Sequence, residues 1–180
     1  DFYMNLFCLE FGCGDTPRKK DFIGVDVRPG PSVKYLCNAW EIVNHVEPNS
    51  VDAIFSRHFF EHLTFEQGRR TLDAWYNILK PGGKMEIILP DMQHHIRQWL
   101  DPNRKTSVVA RKSGGNSTNE QEAIKGFWGG QRGDLLDTWD VHKSGYDFQL
   151  LKDTLEQHGF KNVQRVKSAP KNLHIKTIKG

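Results

Sequence analysis

Hydrophobic residues in the first half of the chain fall into short runs separated by turn formers: MNLFCLEF at 4–11, DFIGVDV at 21–27, VKYLCNA at 33–39 and, after the turn EPNS, VDAIFS at 51–56. Runs of this length, bounded by Gly, Pro, Asn and Asp, predict strands. The period changes at Thr64. TFEQ sets Thr64 three residues before Gln67, the spacing of a capping box, and Leu72, Trp75 and Leu79 then recur at helical intervals until KPGG. A fifth strand, KMEIILP, follows. Strands alternating with a helix in this way predict a parallel sheet with covered faces. Near the end, DFQLLKDTLEQHGF predicts a second helix, with Asp147 as N-cap, Gly159 as stop and Leu150, Leu151 and Leu155 toward the sheet. Between the two helical regions, from about 102 to 140, Gly, Ser and Asn dominate. That stretch reads as a loop-rich insertion, a lid or acceptor-binding segment, within one domain spanning 1–180.

Composition narrows the function classes. The 180 residues are 37% hydrophobic and 26% charged, the balance of a globular domain able to bury a core. No apolar run has the length of a membrane span, and DFYMNLFCLE lacks the pattern of a secretory signal. Three cysteines without a CxxC pair argue against a disulfide framework and for the cytoplasm. A net charge of +3 with scattered Lys and Arg gives no strong nucleic-acid signal.

Two stretches carry candidate chemistry. In LEFGCGD an apolar strand runs into Glu10 and then Gly12 and Gly14, which let a ligand approach the backbone. Pro17 stands where a dinucleotide fingerprint needs its third glycine, and TPRKKD leaves little room for a pyrophosphate-binding helix. A ligand without a pyrophosphate fits better. Asp26, ending the second strand, is placed to accept hydrogen bonds from ribose hydroxyls. RHFFEHL, 57–63, contains HxxEH, a zinc-protease spacing when it lies on one helix. Here it lies between a strand and the capped helix start, so no metal is expected, and Glu61 and His62 are read as fixing the turn. A zinc site remains a remote alternative. It would need His58 and His62 to point the same way and a further ligand such as Glu86 or His142.

The ordered series LEFGCG, IGVDV, CNAW, VDAIFSRHFFEHL and LKPGGKMEIILPD resembles the class I S-adenosylmethionine-dependent methyltransferases, with a weaker likeness extending to about Val163. It is most similar to small methyltransferases that accompany cell-surface sugar biosynthesis. The resemblance implies an α/β, Rossmann-like, seven-stranded, mostly parallel sheet with helices on both faces, a minimal N-terminal part and a final antiparallel hairpin. NVQRVK and LHIKTIK are the candidates for that hairpin. By the same resemblance S-adenosyl-L-methionine is the cofactor. Glu10, Gly12, Cys13 and Gly14 form the loop that receives its methionine part. Asp26 holds the ribose hydroxyls, Asn38 faces the adenine amine, Val27 and Ala39 are further cofactor-binding residues, and Ser56, Arg57 and His58 lie beside the sulfonium.

The expected activity is methyl transfer to a hydroxyl or carboxyl of a small molecule or glycan, because the Asn/Asp-Pro-Pro-aromatic motif of base-amine methylation is missing. His58 and His142 are the candidate bases, imidazole titrating in the useful range. Trp139 and Tyr146 are candidates to shape the acceptor pocket. A binding module without chemistry, serving as a sensor or as partner to an active subunit, is the alternative, motivated by the short connections DTPRKK and RPGPS.

Overall fold

The computed structural model describes residues 6–110, 114–131 and 138–180. Parts of the expected insertion, 111–113 and 132–137, and the start of the first apolar run lie outside the described residues. Among the described residues, nine strands and four α-helices follow one another as β1 (Cys8–Phe11), β2 (Ile23–Asp26), β3 (Val33–Leu36), β4 (Val51–Arg57), α1 (Phe65–Ile78), β5 (Leu79–Pro90), α2 (Met92–Leu100), β6 (Val108–Ala110), β7 (Asn116–Thr118), α3 (Asn119–Trp128), α4 (Phe148–Gln157), β8 (Phe160–Arg165) and β9 (Asn172–Lys179). Short 3-10 turns cover Ala39–Asn44 and Phe60–His62. Seven strands form one sheet in the order β3-β2-β1-β4-β5-β9-β8, and β6 and β7 pair separately. β1 through β5 run parallel, whereas β9 is antiparallel to both β5 and β8. The mostly parallel sheet and its closing hairpin are thus as expected.

Register divides the sheet into two unlike faces, because successive side chains alternate. Leu9 pairs with Ile54, Ile54 with Met85, and Ile87 with Ile175, and all five are buried in one apolar cluster with Leu72, Trp75 and Ile78 of α1 and Leu151 and Leu155 of α4. The Trp75 ring lies 4.9 Å from Phe11 and 5.9 Å from Phe60, joining strand ends to helix. α1, α4 and the 39–44 turn pack against this face. The connections after β1 and β2 are too short to form helices. Over the other face lies the 12–22 loop, where Lys19 reaches Glu86 at 3.2 Å and sits above the Phe55 ring.

Local signals mostly act as expected. Thr64 accepts from the Gln67 N–H to open α1, and Asp147 accepts from Leu150 N–H to open α4. Leu150, however, is 45% exposed, because Phe148, Leu151 and Leu155 make the inward stripe. KPGG does not form a loop after α1. The chain passes from Ile78 straight into β5, and the strand absorbs KPGG as an irregularity in its pairing with β4.

The stretch read as loop contains more order than its composition suggests. Thr118 accepts from the Gln121 N–H as a second capping box, and α3 packs across α2. Gly126 makes that crossing close: a Cβ there would stand 2.3 Å from the His95 ring. Burial pushes the His95 imidazole below its ordinary value, against the bond its Nδ1 makes with Gln98 Oε1 at 3.0 Å. A histidine depressed in the folded state binds fewer protons there than when unfolded, so its stabilising effect is present above pH 6.5 and is lost as pH falls below that value. Thermal melts should therefore show Tm falling between pH 7.5 and 5.5, with a shallower fall in His95→Leu. A pH-independent Tm would contradict this.

Candidate active site

The order of the sheet reverses between β1 and β4, and in such sheets ligands bind beyond the carboxyl ends of the strands at that point. A cavity of about 430 Å³ opens there, lined by Gly12, Asp26, Val27, Asn38, Ala39 and His58 from the strand ends. That volume is in the usual range for a small-molecule site. Phe59, Leu63, Trp40 and Gln67 complete the floor and near wall, and Trp139, Asp140 and Lys143 complete the far wall.

Asp26 is the knot of the near wall. Its Oδ2 accepts from Gly14 N–H at 2.9 Å and its Oδ1 from Arg28 N–H at 3.0 Å, so one buried carboxylate fixes both the glycine loop and the bend after β2. Gly12 donates to the Val25 carbonyl at 2.9 Å and has a φ of +67°, a region that disfavours side chains. A Cβ at Gly12 would stand 2.6 Å from Phe59, so any side chain there meets the cavity floor. Glu10 does not line the cavity. It accepts from the backbone N–H groups of Arg18 at 2.8 and 2.9 Å and of Lys19 at 2.9 Å, anchoring the loop from behind.

Other candidates fall elsewhere. Cys13 is buried, and burial, then Asp26 and Glu10, push its thiol up to about 11. Ser56 is buried in the sheet, its hydroxyl without a partner among the described residues, and neither it nor Arg57 lines the cavity. Asn38 N–H and its Nδ2 donate to Glu41 Oε2 at 3.1 and 2.9 Å, which orients the side-chain amide at the cavity edge. Tyr146 is core, packed on Phe60 and Phe65, whereas Trp139 is 48% exposed at the mouth.

His58 has a φ of +50°, unusual for a residue with a side chain and the kind of strain that collects at working sites. Its Nδ1 lies 3.3 Å from Oε1 of Glu61, which is 1% exposed. The Glu61 carbonyl accepts from Lys143 N–H at 2.8 Å and Ser144 N–H at 3.2 Å, docking the 141–144 segment on the 60–62 turn. His142 arrives by that route. It is not on the cavity wall: its Nδ1 meets the Gly126 carbonyl at 2.8 Å, and its Nε2 lies 4.0 Å from Glu61 Oε1. Burial lowers its affinity for a proton, opposed by the Glu61 charge. Phe59, Gln67 and Lys143 escaped the sequence reading. Only Gln67 carried a signal, and that was for helix capping.

Residues 9–87 match a family model described as a methyltransferase domain. No curated protein matches the chain. Among solved structures, a SAM-dependent methyltransferase from Archaeoglobus fulgidus is similar at a TM-score of 0.60 and 17% identity, over 97% of this chain and 86% of that one. A SAM-dependent methyltransferase from Thermotoga maritima, described as a possible histamine N-methyltransferase, gives 0.57 and 16% over 97% and 82%. A phosphoethanolamine N-methyltransferase of Haemonchus contortus, in complex with S-adenosylhomocysteine, gives 0.55 and 18% over 92% of this chain but 35% of that one. A methyltransferase-domain match thus runs from β1 into β5, and almost the whole chain shares the fold of these S-adenosylmethionine-dependent methyltransferases.

Proposed function

We propose that the enzyme methylates a hydroxyl or carboxyl of a sugar or other small molecule, and that the donor lies in the cavity at the ends of β1, β2 and β4. The observation that carries the donor assignment is the open cradle at Gly12. The loop leaves its backbone bare beside the cavity, and a Cβ there would intrude on Phe59. Asp26 fits the ribose hydroxyls, since each of its oxygens has one N–H partner and a further lone pair. Asn38, its Nδ2 spent on Glu41, keeps an amide oxygen for the adenine amine. When bound, S-adenosylmethionine supplies an electrophilic methyl group on a sulfonium.

The protein's part is to orient the acceptor and take its proton. A carboxylate only accepts hydrogen bonds, so the contact with Glu61 puts the His58 proton on Nδ1 and leaves Nε2 with its lone pair. His58 is the base in this reading. His58 Nε2 would take the acceptor's proton as its oxygen is methylated, and the donor, held by the Gly12 loop and Asp26, would supply the methyl group and leave as S-adenosylhomocysteine. Positioning contributes ~7–11 kcal/mol in such reactions and a base a further ~10²–10⁴ in rate. His142 acts at one remove, through Glu61. Trp139 offers a flat aromatic face at the mouth, and Lys143 a charge, suited to a polar acceptor such as a sugar. The three free cysteines suit a reducing compartment, and the cytoplasm is the location we propose.

Calorimetry with S-adenosylhomocysteine tests the donor cradle. Asp26→Ala should weaken binding about tenfold or more, the scale of one charged hydrogen bond at ~1.5–3 kcal/mol, and Gly12→Val should abolish it. Unchanged affinity in both variants would overturn the assignment. Acceptor and base are tested together by transfer of labelled methyl to a panel of nucleotide sugars. His58→Ala should lower turnover by ~10²–10⁴ and affect S-adenosylhomocysteine affinity far less. Full turnover in that variant would remove His58 as base.

A further inference from the structure

We propose that Glu61, His62 and His142 form a binding site for a divalent transition-metal ion, of the zinc type, at the edge of the active-site cavity. One ligand atom from each residue lies within 4.8 Å of the others. Glu61 Oε1 stands 3.9 Å from His62 Nε2 and 4.0 Å from His142 Nε2. A tetrahedral ion with bonds of about 2.0–2.2 Å holds its ligands roughly 3.3 Å apart. The three atoms need to close by only a fraction of an ångström to about one and a half.

The hydrogen bonds around the cluster favour a cation. His62 Nδ1 lies 3.0 Å from the Val141 carbonyl and His142 Nδ1 lies 2.8 Å from the Gly126 carbonyl. A carbonyl only accepts, so each Nδ1 is the protonated nitrogen and each Nε2 of a neutral ring carries a lone pair. Those two lone pairs face the carboxylate of Glu61, so acceptors confront acceptors. A metal ion turns that conflict into coordination. A backbone carbonyl on the far nitrogen is also the usual way a ligating imidazole is held in orientation.

Glu61 supplies an independent sign. It is 1% exposed, and its second oxygen, Oε2, is buried with no hydrogen-bond partner among the described residues. Leaving a carboxylate oxygen so placed is costly unless a cation compensates it. Two histidines and one glutamate are a donor set suited to zinc, three protein ligands leaving a fourth position open. His62 borders the cavity, so that open position lies on the cavity side. His58, held to Glu61 by its Nδ1, stays outside the ligand set. Glu86 takes no part, being bonded to His174 at 2.7 Å and Lys19 at 3.2 Å.

An ion here would bind an oxygen of the acceptor, lower its proton affinity and hold it for transfer. That use rests on the methyl-transfer reading above, whereas metal binding does not. The test is Co²⁺ titration of chelator-stripped full-length protein, followed by visible absorption, with zinc competition and elemental analysis of protein purified without chelator. One equivalent of Co²⁺ should bind with an intense tetrahedral spectrum, be displaced by Zn²⁺, and raise Tm. Glu61→Gln, His62→Ala and His142→Ala should each weaken binding by more than the ~10–100-fold typical of losing an outer partner. Circular dichroism separates that loss from unfolding, and the Tm rise in the unmutated protein stands without any variant. No stoichiometric binding, or a spectrum unchanged in the His142 variant, would overturn the site. S-adenosylhomocysteine affinity measured on the stripped protein should be unchanged, so failure of the metal site and failure of the donor reading are told apart.

Discussion

The buried carboxylate of Glu61 is the constraint on which the active-site wall depends. Three imidazoles of different origin surround one of its oxygens: His58 from the end of β4, whose Nδ1 faces it as a donor, His62 from the following turn, and His142 from some eighty residues later. The Glu61 backbone carbonyl docks the same late segment by accepting from Lys143 and Ser144. These backbone hydrogen bonds bring the far wall of the cavity against the near one. Gly126 extends the chain of dependence, since it lets α3 approach α2 and presents the carbonyl that orients His142.

The opposite wall is built on the same principle with a different residue. Asp26 ties Gly14 and Arg28 backbones, and Glu10 ties Arg18 and Lys19, so two carboxylates hold a loop too short to contain a helix. These bonds fix the loop that lies over the side of the sheet opposite α1 and α4. The loop is fixed by charged hydrogen bonds, each worth ~1.5–3 kcal/mol, rather than by apolar packing. One face of the sheet carries the core and the other is spanned by Lys19, Glu86 and His174.

Much of this was legible in the residues. The strands and the capped α1 follow from periodicity and from Thr64 with Gln67, and Gly12, Asp26 and His58 lie at or just beyond the ends of β1, β2 and β4. Three things were not legible. Leu150 and Leu151 are equally apolar, and only packing against β8 and β9 decides that Leu151 turns inward. α3 is hard to see in a polar stretch because its contacts rest on few residues, Ala123, Gly126 and Phe127, set among polar ones. HxxEH was read as a turn because its residues do not share a helix. The 3-10 turn still points Glu61 and His62 toward His142, a juxtaposition that spacing within seven residues has no means of reporting.

The central claim is that neutral imidazoles at 62 and 142 turn lone pairs toward Glu61. Histidine-labelled nitrogen NMR, correlating ring nitrogens with ring carbon protons, reads the tautomer of each directly. At neutral pH in metal-stripped protein, both rings should be Nδ1-protonated with unprotonated Nε2, and zinc should shift both Nε2 signals. Protons on Nε2, or doubly protonated rings at neutral pH, would mean that Glu61 is satisfied by hydrogen bonds and would contradict the account.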